Sequence, residues 1–234
     1  MKIKPLFTTL LLISLGLHPD NTIAHEEHDP LLTHVILNQL ELGDSRHSGA
    51  VEAQAWVGHD LNKFWLKTDI EREQGTTHHA DIQALYSRAI APYWDMQLGV
   101  RHDQKPVKRN WAVIGLQGVA PYFFEWDSAL LIGDSGRVAM RVAVDYDLLL
   151  SQRLILSLNL EFTMYGQDDL DAGMGAGLAD SRAGLRLRYE LRREFAPYIG
   201  INWNNRYGKT ADIAEARGEQ PQDIQWVLGL RAWF

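Results

Sequence analysis

The sequence predicts an all-β protein, a transmembrane antiparallel up-and-down β-barrel of about 12 strands preceded by a cleaved signal peptide. Three observations carry this expectation. A short apolar run follows basic residues at the N-terminus, successive segments long enough to span a membrane alternate apolar and polar side chains, and the last segment ends on an aromatic residue.

At the N-terminus, Lys2 and Lys4 precede an apolar run from Pro5 to Leu17 and a small-residue exit at Thr22-Ile23-Ala24. This predicts a signal peptide over residues 1–24, cut after Ala24. A helix needs roughly 20 apolar residues to cross a bilayer, and the polar residues from His18 onward break the run too early for an anchor. Residues 25–31 then form a short periplasmic leader, and residues 32–234 the barrel.

The alternation is plainest from Arg153 to Tyr165. Leu154, Leu156, Leu158, Leu160, Phe162 and Met164 share one face, and Ser157, Asn159, Glu161 and Thr163 the other. Val138, Met140, Val142, Val144, Tyr146 and Leu148 likewise oppose Arg137, Arg141, Asp145 and Asp147. Strands are predicted over residues 32–42, 50–58, 63–73, 79–89, 94–104, 110–119, 123–132, 137–148, 153–165, 181–192, 196–206 and 223–234. The segment Leu32 to Leu42 has the weakest period; it is kept as a strand because a single-chain bacterial barrel has an even strand number.

A water-soluble β-sandwich also alternates, with its apolar face turned inward. Three features favour the membrane. The last strand, Ile224 to Phe234, alternates and ends on an aromatic ring. Rings gather at predicted strand ends, with Ala-Pro-Tyr recurring at Ala91 to Tyr93, Ala120 to Tyr122 and Ala196 to Tyr198. The long, polar connections, Gly166 to Asp180 and Tyr207 to Gln222, collect on one rim, expected outside, and the short turns on the other, expected in the periplasm.

Cysteine is absent, which suits an oxidising compartment and removes thiolate sites and Cys nucleophiles. A net charge of −7 argues against a nucleic-acid partner. Ser87, Ser128, Ser151 and Ser157 lie in no nucleophile motif, so a lipid-hydrolysing barrel is the weaker alternative and no enzyme activity is expected. A general small-solute channel, or a structural or adhesive barrel acting through its long loops, is also consistent with the pattern.

Four segments carry a family resemblance: Lys63-Phe-Trp-Leu-Lys-Thr-Asp-Ile-Glu71, Gln83-Ala-Leu-Tyr-Ser-Arg-Ala-Ile-Ala-Pro-Tyr-Trp-Asp-Met-Gln-Leu-Gly-Val-Arg-His-Asp103, Tyr146-Asp-Leu-Leu-Leu-Ser-Gln-Arg-Leu-Ile-Leu156 and Leu185-Arg-Leu-Arg-Tyr-Glu-Leu-Arg-Arg-Glu-Phe-Ala-Pro-Tyr198. In this order they resemble copper resistance protein B. The resemblance implies an outer-membrane protein of a copper-tolerance system, with copper ions as ligand or substrate, no tightly bound cofactor, and a periplasmic multicopper oxidase as partner. Many members of that family carry a Met- and His-rich segment before the barrel. Here the first methionine after Met1 is Met96.

Two sets of candidate site residues follow. His25, His28, Asp29 and His34 offer imidazole and carboxylate groups that suit Cu(II), Zn(II) or Ni(II); a solvated leader is the plainer reading. His78 and His79 read as external-loop surface, and His59 and His102 as strand-end residues. The second set would line the lumen: Lys67, Asp69, Glu71, Asp81, Asp95, Arg101, Asp103, Glu125, Asp127, Arg141, Asp145, Asp147, Glu161, Arg182, Arg186, Arg188, Glu190 and Arg206. Such charges need partners or water. They form either a salt-bridged plug or a water-filled path in which carboxylates favour cations.

Overall fold

A period of two puts every second side chain on the same side of a strand, so a strand between lipid and water reads as alternation. The computed structural model describes residues 29–44, 48–73 and 75–234; the predicted signal peptide, with His25 and His28, lies outside the described residues. The described strands are β1 (Leu32–Gly43), β2 (Gly49–Gly58), β3 (Asn62–Glu73), β4 (Thr76–Ala91), β5 (Trp94–Lys105), β6 (Arg109–Ala120), β7 (Phe124–Gly133), β8 (Val138–Leu149), β9 (Leu154–Tyr165), β10 (Gly177–Tyr189), β11 (Phe195–Arg206) and β12 (Gln222–Trp233). Each pairs antiparallel with its chain neighbours, and β1 pairs with β12, so the sheet closes on itself. Closure satisfies every strand edge internally, as lipid demands.

The apolar face is the outer one. Leu98 (46 % exposed), Val100 (60 %), Trp226 (55 %) and Leu228 (61 %) stand on the outside of β5 and β12, while their neighbours Arg101, Asp103 and Gln225 line the interior. A soluble sandwich would show the reverse.

The weak period of β1 has a physical cause. Its register against both β2 and β12 slips between Leu37 and Leu40, the mark of a β-bulge. Before the bulge Ile36 faces inward; beyond it Glu41 and Gly43 do, with Asn38 and Gln39 both lining the interior at the turnover. One extra residue reverses the parity, so a strand looks aperiodic in sequence.

The connections differ from expectation in three places. The stretch after Tyr207 contains a helix, α1 (Gly208–Ala216), and β10 begins at Gly177, so the long β9–β10 loop is shorter than predicted. Two Ala-Pro-Tyr copies form short turns whose Tyr93 and Tyr122 have positive φ and are 80 % and 82 % exposed. The third lies within β11, where Tyr198 turns inward and is buried. It is a luminal group and not an interfacial ring.

Candidate functional site: the charged lumen

The barrel encloses a cavity of about 740 Å³. Fifteen carboxylates and ten Lys or Arg side chains line it, an acidic excess that makes the lumen a cation environment. Every predicted lumen residue lies on this lining except two. Glu190 lies just past the end of β10, where the strand no longer dictates an inward side chain. Arg206 ends β11 at the rim and pairs with Glu219.

The charges are joined across the barrel. Lys67 on β3 donates to Asp127 on β7 at 2.9 Å, and Arg141 reaches Asp127 at 3.2 Å and Glu161 at 2.9 Å. Arg182 on β10 meets Glu71 on β3. Glu41, brought inward by the bulge, accepts from Arg186 Nε (2.7 Å), the Tyr198 hydroxyl (2.9 Å) and Asn202 (3.1 Å). Glycines make room for this cluster. A Cβ at Gly184 would fall 2.1 Å from Arg186 Nη1, and one at Gly229 would fall 2.4 Å from the Tyr198 ring. Arg188 and Ser157 both donate to Asp147, at 2.7 and 2.6 Å.

Part of the inner wall is apolar. Trp65, Leu85, Trp111, Val113, Leu131 and Ala139 form a buried cluster, and the Trp111 indole donates to Asp103 at 2.7 Å. These residues share the inward parity of the charged ones, so charge alone could not mark them in the sequence. At the long-loop rim, Asp169 of the β9–β10 connection is buried, with Arg109 at 2.5 Å and Arg137 at 3.4 Å. This folds the loop over the mouth, and Asp169 and Met174 join the lining.

His79 and its neighbour His78 are not loop surface. Both lie on β4 and line the cavity. His79 Nε2 is 2.8 Å from Asp81 Oδ2 and 3.9 Å from Asp69 Oδ2, and the three side chains form a group able to hold a metal ion. The signal was in the sequence: His79 and Asp81 are two residues apart, and so share a face.

The remaining candidates are placed apart. Asp29 and His59 meet at the short-turn rim, His59 Nδ1 lying 3.0 Å from the Asp29 carbonyl. His34 on β1 packs between the rings of Trp56 and Trp233. His102 bonds Asn110 at 2.7 Å. The four serines are taken up locally: Ser87 donates to Asp95, Ser128 to the Leu116 carbonyl, Ser157 to Asp147, and Ser151 accepts from backbone N–H groups of its own turn.

A family model described as "Copper resistance protein B precursor (CopB)" matches residues 31–234. The chain belongs to the copper resistance protein B family. Copper resistance protein B of Escherichia coli is 43 % identical over 218 residues, covering 92 % of this chain and 74 % of the relative. A copper resistance protein B homolog of Pseudomonas syringae pv. tomato is 40 % identical over 215 residues, 90 % of this chain and 73 % of the relative. Among solved structures the NanC porin matches with a TM-score of 0.54 at 10 % identity, covering 86 % of this chain and 99 % of that one. The KdgM porin matches with a TM-score of 0.52 at 11 % identity, covering 87 % and 99 %. At such identity these porins show the barrel fold alone. Fold and family together make this member of the copper resistance protein B family an outer-membrane β-barrel with a role in copper resistance.

Proposed function

We propose that this barrel serves copper resistance by taking copper ions into its lumen, and so binding them or assisting their export or exclusion from the periplasm. The observation that supports this reading is the excess of carboxylates over basic groups on the cavity wall. Fixed negative charge lowers the energy of a cation in a narrow, poorly solvated space. Cross-barrel pairs such as Lys67 with Asp127 divide the bore, which disfavours a wide general channel. The short-turn rim faces the periplasm in this reading, with a multicopper oxidase as the partner expected there. No catalytic step is assigned to the barrel, and its apolar outer face meets lipid.

The test is growth and cellular copper content across a copper series in a strain lacking the gene and in a complemented strain, with zinc and nickel as controls. Loss of copper tolerance alone, with periplasmic copper rising, is the expected result. Unchanged growth and metal content would overturn the reading.

A further inference from the structure

We propose that Asp69, His79 and Asp81 form a luminal site for a divalent cation of the Cu(II) or Zn(II) kind. The proposal borrows from the luminal copper reading only the identity of the preferred ion.

Asp69 on β3 lies directly opposite Asp81 on β4, and Asp81 lies directly opposite Asp103 on β5. Three carboxylates thus stand side by side across neighbouring strands, an arrangement that costs energy unless cations lie between them. The gap between Asp81 and Asp103 is filled by a permanent cation. Arg101 Nε is 2.6 Å from Asp103 and its Nη2 is 3.3 Å from Asp81. The gap between Asp69 and Asp81 is filled differently, by the His79 imidazole, which carries no obligatory charge and is itself a metal ligand.

The backbone is shaped around this spot. Register slips occur between β3 and β4 beside Glu71 and His79, and between β4 and β5 beside Asp81. Bulges re-aim side chains, and here they flank His79 and Asp81. One ligand atom from each residue lies within 4.8 Å of the others. Atoms sharing an ion at about 2.0–2.2 Å lie up to about 4.4 Å apart, so small side-chain movements complete the site.

The donor set selects the ion class. One imidazole and two carboxylates suit borderline divalent ions, whereas Cu(I) favours thiolate and thioether sulfur, which this triad lacks. Among first-row divalent ions, affinity for such donors peaks at Cu(II). The site gives the lumen a stopping point for the ion at the level of β3 to β5.

The experiment is titration of the full chain, folded in detergent micelles, with Cu(II) followed by electron paramagnetic resonance and by competition with a chelator, and with Zn(II) in parallel. His79→Ala, Asp69→Asn and a double His25→Ala/His28→Ala variant are compared, each first checked for the heat-modifiable gel band of a folded barrel. The wild type and the double variant are expected to show nitrogen coupling from one imidazole. His79→Ala should lose that coupling, and Asp69→Asn should weaken binding by more than the roughly 10- to 100-fold that loss of an outer-shell partner costs. Coupling that survives His79→Ala, coupling that vanishes in the double variant, or no binding to wild type would each overturn the site. Because the readout is binding to purified protein, it stands or falls separately from the copper phenotype of cells.

Discussion

Arg182 on β10 and Glu71 on β3 form an ion pair across the lumen, although 111 residues separate them in the chain and their strands are not neighbours in the wall. The pair ties opposite walls together and narrows the bore between them. Replacing both residues by Met, which removes charge while keeping bulk, should change single-channel conductance in planar bilayers, whereas Arg193→Met in a turn should leave it unaltered. Equal conductance in all variants would mean that the pair does not limit the path.

Glu41 is held by three donors, Arg186, Tyr198 and Asn202, in a buried setting. Glu41→Ala leaves the Arg186 guanidinium buried without its counter-charge, and breaking such a pair costs about 3–5 kcal/mol. The urea midpoint of the detergent-folded barrel should fall accordingly. Glu41→Gln, which keeps acceptor geometry without charge, should lose less.

The bulge in β1 makes a separate prediction. Inserting one Ala after Gln39 reverses the parity a second time and turns the end of β1 over, sending Glu41 toward lipid and away from Arg186. Folding yield into lipid vesicles, read from gel mobility, should drop sharply. Gln39→Ala keeps the length of β1 and should fold normally.

The loop over the mouth rests on two kinds of contact. Asp169→Ala removes its buried anchor to Arg109 and Arg137 and should expose residues 166–176 to added protease while the barrel keeps its melting behaviour.

The second contact is pH-dependent. Asp168 lies in this loop, outside the strands, and its pKa is lowered by its hydrogen bond from Lys209 on α1 and then by the Ala176 N–H. A lowered carboxyl pKa stabilises the folded state at every pH above the unfolded value of about 3.9, and the effect is lost as pH falls through the lower folded value. Protease resistance of the loop should therefore hold at pH 5 and decline only below about pH 4. Lys209→Met should abolish that acid-side step.

Much of the fold was legible because β-period is a local property. Leu154 to Met164 displayed a complete outer face, and the spacing of such segments gave strand number and the division into short and long connections. The helix α1 was missed because its polar sequence carries little apolar period, and it gains support from contacts with the neighbouring loop, such as Thr210 accepting from Gly175. His78 was misplaced because β4 begins three residues before the predicted start at residue 79, and His79, the first residue of the predicted strand, was grouped with it as loop surface. Tyr198 was misread because Ala-Pro-Tyr marks a turn twice and a strand once, and only pairing with β12 separates the cases.

By itself the sequence determined which side chains share a face, how many strands there are and how the chain closes. Alternation alone could not say which face is wet, since it is the same with either face inward; the outward placement of Leu98, Val100, Trp226 and Leu228 on the closed barrel, with the charges inside, decided that. Nor could it say which charges meet. Arg182 with Glu71, and Arg186 with Glu41, depend on the stagger of a closed sheet, which sums small register choices at every strand pair and at the β1 bulge. Period is written residue by residue along one strand, whereas contact across a lumen exists only once all the strands have taken their places.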